Sequence, residues 1–298
     1  MDVSDPKGLQ VALYDCFTDQ RFGGNIGGIV FNASNLETRQ MMQIAREINA
    51  AVTGFVTGHI GNEVTIRFFM PGAEIAMCGH VTVGLFTHFA ALQPDVSDFV
   101  MKAPAGDIAV RVSRIGATAP SVMMNLSLPK PITGDVDLAA LADALGIAQS
   151  ALETRAPVAA ADAGLKHLFV HLETLAEVQA LTPDFQKLKD VSAANNVQTI
   201  GCFSMEAEAA DATLHIRDFC PAVGVNEVPA SGTTNGALAG YLVANGLIPA
   251  SSQQISAEQG AEIGRPSRVM SEIAVEDGQV SDLWVGGQAV ASLTGQLA

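Results

Sequence analysis

Two short turns contain the side chains whose type and spacing could transfer protons. The first turn is Cys78-Gly79-His80 and the second is Ser231-Gly232-Thr233. A mostly apolar run follows each turn, at residues 81–92 and 234–244, and such runs predict helices that are buried on all sides. A thiol and a hydroxyl therefore each stand at the start of a predicted buried helix.

An internal repeat relates the two turns. The pattern Arg-x-Phe-x-Pro occurs at residues 67–71 and again at 217–221, with one turn following each copy. This repeat predicts two diverged halves. If the halves face each other, two helix N-termini converge on one cleft, where their N–H groups could hold a carboxylate. Cys78 and Ser231 would then flank the bound molecule, as removal and return of a proton require.

Cys78 is the stronger candidate for an acid/base group. A thiol at a helix N-terminus is expected to have a lowered pKa, and His80 could tune it. The hypothesis is that Cys78, as thiolate, removes a proton from carbon and that His80 or Ser231 returns or relays it. The alternative is that Cys78 is a small buried apolar residue and His80 a capping or core histidine. The predicted substrate-binding residues are Gly24, Asn25, Gly79, Val81, Gly232, Thr233 and Thr234.

Six segments resemble the PhzF-like proteins of phenazine biosynthesis, within the diaminopimelate epimerase and proline racemase superfamily. They are residues 15–19, 24–25, 44–49, 67–80, 231–233 and 264–267. The resemblance implies an α+β fold of two pseudo-symmetric domains, each a curved, mostly antiparallel, barrel-like sheet around a central helix. It also implies a homodimer and an isomerase without metal, nucleotide or other cofactor. By position, Gly79, His80, Gly232 and Thr233 match the family's substrate-binding and catalytic turn residues.

The chain departs from the family pattern at two carboxylates. Val52 stands where PhzF-like proteins commonly have the glutamate of a Ser-Glu-Thr sequence, and Val228 replaces the aspartate of Glu-Asp-Pro. Residues 73–79, in contrast, resemble the first cysteine turn of diaminopimelate epimerases and proline racemases. The pair of Cys78 with Ser231 resembles the one-thiol members of that superfamily, some of which isomerise or dehydrate their substrates.

The predicted function is proton abstraction and return on a small carboxylate substrate, by a hydrogen shift, cis–trans isomerisation or epimerisation, with dehydration as a further possibility. The alternative is a non-catalytic ligand-binding or interaction module of the same fold. The expected partner is a small anionic substrate. With a net charge of −15, nucleic acid and membrane surfaces are poor partners. Four cysteines without a CxxC pair, and no apolar leader run, favour the cytoplasm.

The predicted domains are residues 1–128 and 129–298, with the last strand a candidate to return to the first half. Residues 129–134 contain two prolines and are the predicted linker. A helix is expected at residues 36–50 with Asn35 as its cap, and three or four strands after residue 255.

Other motifs favour no second chemistry. No Gly-x-Ser-x-Gly sequence supports a serine hydrolase. His167 and His171 lie four apart in a segment expected to be extended, so a structural role is favoured over metal binding. The glycines at residues 23–28 lack dinucleotide-binding spacing and predict a hairpin turn. Arg67 and Arg217 could each pair with an acidic neighbour or contact the substrate.

Overall fold

The computed structural model describes residues 8–114 and 119–297. The chain forms two compact units, the first drawn from Met1–Asn125 and Gly286–Ala298 and the second from Leu126–Val285. The sequence placed the boundary between residues 128 and 129, a few positions later.

The first unit has a mixed sheet with the order β18-β1-β2-β3-β4-β6-β7-β8, in which only the β2–β3 and β4–β6 pairs are parallel. A short strand, β5, pairs with the far end of β4. The strands are β1 (Gln10–Cys16), β2 (Asn25–Val30), β3 (Val52–Ile60), β4 (Glu63–Met70), β5 (Ala73–Ile75), β6 (Asp98–Ala103), β7 (Gly106–Ser113), β8 (Ser121–Asn125) and β18 (Ala289–Gln296).

This sheet curves around one helix. Helix α2 (Gly79–Leu92) contacts β18, β1 and β2 at one end of the strand order and β7 and β8 at the other. Residues on every side of α2 are buried, as its lack of a polar face predicted. A second helix, α1 (Thr38–Ile48), packs on β3 and β4 and buries Met41, Ile44 and Ala45.

The second unit repeats this topology. Its sheet runs β9-β10-β11-β12-β13-β15-β16, with β11–β12 and β13–β15 parallel, and β14 pairs with the end of β13. The strands are β9 (Lys130–Ile132), β10 (Ala159–Asp162), β11 (Lys166–His171), β12 (Thr199–Ser204), β13 (Leu214–Phe219), β14 (Glu227–Val228), β15 (Gln253–Gln259) and β16 (Ser267–Glu276). Strand β17 (Gln279–Gly287) follows, and its last two residues belong to the first unit.

Helix α6 (Gly232–Ala244) contacts β9, β10, β11 and β16 and is the counterpart of α2. Helices α3 (Leu138–Leu145), α4 (Leu175–Gln179) and α5 (Phe185–Ala194) share an apolar core with β11 and β12. The α+β fold with two pseudo-symmetric halves is therefore confirmed. Three or four strands were predicted in the tail after residue 255, and the structure has four, β15 to β18. Among the described residues, no helix is both long and apolar enough to cross a membrane.

Two local predictions are wrong. The first helix begins after Glu37, whose backbone N–H donates to Gln40, because Asn35 instead ends a short 3-10 helix. The predicted linker contains β9, which pairs with β10. Pro131 is accommodated there because no other described strand pairs with β9, so its missing N–H breaks no second ladder.

Candidate active site

The first turn places Cys78 immediately before α2. Its backbone is extended, with φ −144° and ψ 117°, and its carbonyl accepts a 2.7 Å hydrogen bond from Thr82 Oγ1. Cys78 Sγ lies 3.3 Å from His80 Nδ1. The thiol and the imidazole that the sequence singled out are therefore in direct contact.

The protonation state of this pair differs from the expectation. Burial raises the pKa of the Cys78 thiol to about 12, although the backbone N–H groups of Val81 and His80 lower it. Burial also lowers the pKa of His80 to about 4, against a smaller opposing effect of the Ile26 backbone. The predicted lowered pKa is wrong because loss of hydration outweighs the helix N-terminus. The pair is a neutral thiol beside a neutral imidazole at pH 7.

Strand β2 brings the predicted glycine hairpin to this turn. The β1–β2 pair is an antiparallel hairpin, and Gly27 packs against His80 and Val81. Gly24, just before β2, has φ +60°, and a Cβ there would collide with the carbonyl oxygen of Cys16. The structure therefore places Gly24 and Asn25 at the start of the strand that contacts the cysteine turn.

The second turn places Ser231 in the equivalent position before α6. Its backbone is again extended, with φ −141° and ψ 118°, and Ser231 Oγ accepts a 3.3 Å hydrogen bond from the Thr234 N–H. Ser231 Oγ also lies 3.2 Å from Thr233 Oγ1. Asn235 Nδ2 donates to the Ser231 carbonyl, as Thr82 does to Cys78. Ser231 is half-buried, whereas Thr234 is fully buried.

A buried carboxyl that was not predicted from the sequence, Asp218, lies behind the second turn. Thr234 Oγ1 lies 2.6 Å from Asp218 Oδ2 and 2.9 Å from Ser231 Oγ. Burial raises the pKa of Asp218 to about 6, although the hydroxyls of Thr234 and Thr199 lower it. One signal was present in the sequence. Asp218 is a charged residue inside the Arg-x-Phe-x-Pro repeat, where the first copy has Phe68.

His167 also belongs to this cluster. Its Nδ1 lies 2.7 Å from Thr199 Oγ1 and 3.2 Å from Thr234 Oγ1, and burial lowers its pKa to about 4. His171 instead bonds to Thr154 Oγ1 at 2.9 Å. The extended segment predicted for both is confirmed, but only His171 lies away from the turn. In the described ranges, no group of three histidine, cysteine, aspartate or glutamate side chains could hold a metal.

The two arginines of the repeat pair with acidic neighbours. Arg217 Nη2 lies 2.8 Å from Glu227 Oε2 in a buried pair whose side chains are 9% and 5% exposed. Arg67 makes the same type of pair with Glu74, at 2.7 Å, but with about 30% exposure. Each arginine also lies over the phenylalanine two positions later. Of the two alternatives, the ion pair is what the structure shows.

Comparison with known proteins identifies the family to which the chain belongs. Residues 14–295 match the phenazine biosynthesis-like protein family. The chain belongs to this family. It is 31% identical over 281 residues to trans-2,3-dihydro-3-hydroxyanthranilate isomerase of Pseudomonas chlororaphis, covering 93% of this chain and 95% of the relative. It is 28% identical to the uncharacterized isomerase YddE of Escherichia coli K12, covering 94% and 95%.

The fold is shared with a solved member of the family. The crystal structure of the Bacillus anthracis phenazine biosynthesis protein, PhzF family, superposes with a TM-score of 0.88 at 23% identity, covering 97% of this chain and 99% of that one. Because the relatives are named isomerases, the chain is an isomerase of this family.

Proposed function

We propose that the protein is a cofactor-independent isomerase that removes and returns a proton on a small carboxylate substrate, with Cys78 as an acid/base group. The observation that carries the proposal is the 3.3 Å contact between Cys78 Sγ and His80 Nδ1 at the start of α2, in a family of isomerases. The P. chlororaphis relative is named for an anthranilate-type carboxylate, which supports the substrate class.

The protonation state of Cys78 determines whether it first donates or first accepts a proton. A thiol with a pKa near 12 is protonated at neutral pH, so it begins the cycle as a proton donor. The neutral His80 imidazole can relay a proton back to the thiol afterwards, because one ring nitrogen can accept a proton while the other donates one. The N–H groups at the start of α2 are suited to stabilise negative charge that develops on the substrate. This direction replaces the thiolate base that the sequence suggested.

Several finer expectations remain predictions. They are the single cleft shared by both turns, the homodimer, the cytoplasmic location and the type of isomerisation. A ligand-binding module of the same fold is the second candidate function, because the family resemblance implies carboxylates where this chain has Val52 and Val228, and Val52 is buried.

Deuterium uptake from D₂O tests the proposal. Wild type, Cys78→Ala and the control Cys202→Ala are incubated with dihydro-hydroxyanthranilate analogues and other small unsaturated, hydroxy- and amino-carboxylates, and proton NMR follows the carbon-bound hydrogens. Cys202 is a buried thiol of β12 without a role in the proposed chemistry. We expect uptake or new isomer signals with wild type and the control, and a loss of about 100-fold or more with Cys78→Ala.

Full activity of Cys78→Ala would contradict the assignment of Cys78. Saturable binding of a carboxylate by wild type, with no uptake across the panel, would favour the binding module instead.

A further inference from the structure

A continuous chain of hydroxyls links the accessible surface of the second turn to a buried carboxyl. Ser231 is half-buried, Thr234 Oγ1 lies 2.9 Å from Ser231 Oγ, and Asp218 Oδ2 lies 2.6 Å from Thr234 Oγ1. Thr234 and Asp218 are fully buried, and the other carboxylate oxygen, Asp218 Oδ1, has no protein partner. A buried carboxylate oxygen without a hydrogen-bond donor is costly, so this arrangement calls for an explanation beyond packing.

The donors in this chain have a defined order. An ionised carboxylate can only accept, so the single Thr234 hydroxyl proton is directed to Asp218. The Thr234 oxygen is then free to accept from Ser231. Ser231 Oγ in turn receives the Thr234 backbone N–H, which favours a negative charge on that oxygen.

The first unit has no such chain at the matching positions. Asp218 pairs with Gly201 across β12–β13 as Phe68 pairs with Gly54 across β3–β4. Thr234 likewise follows Ser231 at the spacing with which Val81 follows Cys78. The first unit thus has apolar residues, Phe68 and Val81, at the two positions where the second unit has Asp218 and Thr234. The fold itself therefore does not require a carboxyl and a hydroxyl at these positions.

We propose that Asp218 is a positioning residue that receives, through Thr234, the proton that Ser231 takes from the substrate. This inference rests on the proposed isomerase function. A serine hydroxyl is by itself a poor base, and the chain overcomes this because the proton comes to rest on a carboxylate.

The proton transfers balance without any further reactant. The substrate C–H bond breaks, its electron pair stays on the substrate, and its proton bonds to Ser231 Oγ. The original Ser231 proton passes to Thr234 Oγ1, and the Thr234 proton passes to Asp218 Oδ2, which becomes a neutral acid. The substrate then takes its new proton from the Cys78 thiol. Asp218 releases its proton to solvent through Thr234 and Ser231, and Cys78 recovers one from solvent through His80, so protons and charge balance over the cycle.

Among the ionisable groups around it that are named here, Asp218 is the one whose pKa lies near neutrality. A pKa of about 6 leaves its carboxyl largely ionised at pH 7. His167 is neutral above a pKa of about 4, and Glu227 is paired with Arg217. Burial raises the pKa values of the neighbouring thiols, Cys202 and Cys220, far above neutrality.

Three variants test the chain on whichever substrate the wild type turns over. Asp218→Asn keeps the shape of the side chain but removes its charge. Thr234→Val replaces the hydroxyl by a methyl group, and Thr234→Ser keeps the hydroxyl. We expect kcat to fall about 100-fold or more in the first two, with KM little changed, and Thr234→Ser to retain activity. The acid limb of the wild-type kcat profile near pH 6 should be absent in Asp218→Asn.

A wild-type kcat and pH profile in Thr234→Val would overturn the inference, and so would a Thr234→Ser variant as inactive as Thr234→Val. A titration of carboxyl-labelled aspartate by carbon NMR needs no substrate. Loss of the Thr234 hydroxyl should raise the Asp218 midpoint, and an unchanged midpoint would also overturn the inference. A wild type inactive on the whole panel would count against the proposed function, while this titration would still decide whether Thr234 couples to Asp218.

Discussion

Replacing Asp218 by asparagine should change how the stability of the second unit depends on pH. The folded-state pKa of Asp218 is about 6, against an ordinary value of 3.8. The folded protein therefore binds this proton more tightly than the unfolded chain does. Its stabilising contribution is complete below pH 3.8 and is lost as pH rises through 6, a total of about 3 kcal/mol at 1.36 kcal/mol per pKa unit.

Asparagine does not ionise, so it escapes this loss. The free energy of unfolding of Asp218→Asn minus that of wild type should increase by roughly 2 kcal/mol between pH 4 and pH 7. Above pH 6 the variant gains stability relative to wild type as it loses activity, as expected where a buried charge is kept for function. The pH-dependent change in this difference is the prediction, because the effect of the amide itself is the same at every pH.

Trp284 provides the assay. It is the single tryptophan of the chain and lies in the same unit as Asp218, so its fluorescence during urea unfolding reports on that unit. The control is Asp19→Asn, which removes an exposed charge from the other unit. A difference between Asp218→Asn and wild type that stays constant from pH 4 to pH 7 would refute a raised pKa at Asp218.

Three further predictions concern the ion pairs of the two arginines, the glycines with positive φ and the reactivity of Cys78. Glu227→Gln breaks the buried ion pair and should cost about 3–5 kcal/mol by urea unfolding followed by circular dichroism. The equivalent Glu74→Gln should cost about 0–1 kcal/mol because that pair is partly exposed. Equal costs would contradict the burial argument. Gly24→Ala should lower the thermal midpoint far more than Gly61→Ala, since both have positive φ but only the first Cβ meets other atoms. Cys78 should alkylate more slowly than free cysteine at pH 7 by mass spectrometry, and fast labelling would contradict its raised pKa.

Local pattern predicted much of the fold. Helices α2 and α6 are apolar on all sides, and a helix of this kind can only be central, so their burial followed from the sequence. Their boundaries followed less well, because both helices begin at the glycine of the turn, earlier than the apolar run indicated. Residues 129–134 were mistaken for a linker, because prolines exclude central strands but not an edge strand such as β9.

The sequence by itself determined the repeat and the two turns, because glycine after a thiol or hydroxyl, followed by an apolar run, is a local pattern. Only the tertiary structure decided the charge states at these turns. Burial keeps Cys78 protonated against the local effect of the helix N-terminus. The contact of Asp218 with Thr234 joins a strand to a helix across 16 positions, and no local pattern specifies it. Desolvation depends on everything packed around a group, so its effect on these pKa values appears only once the chain is folded.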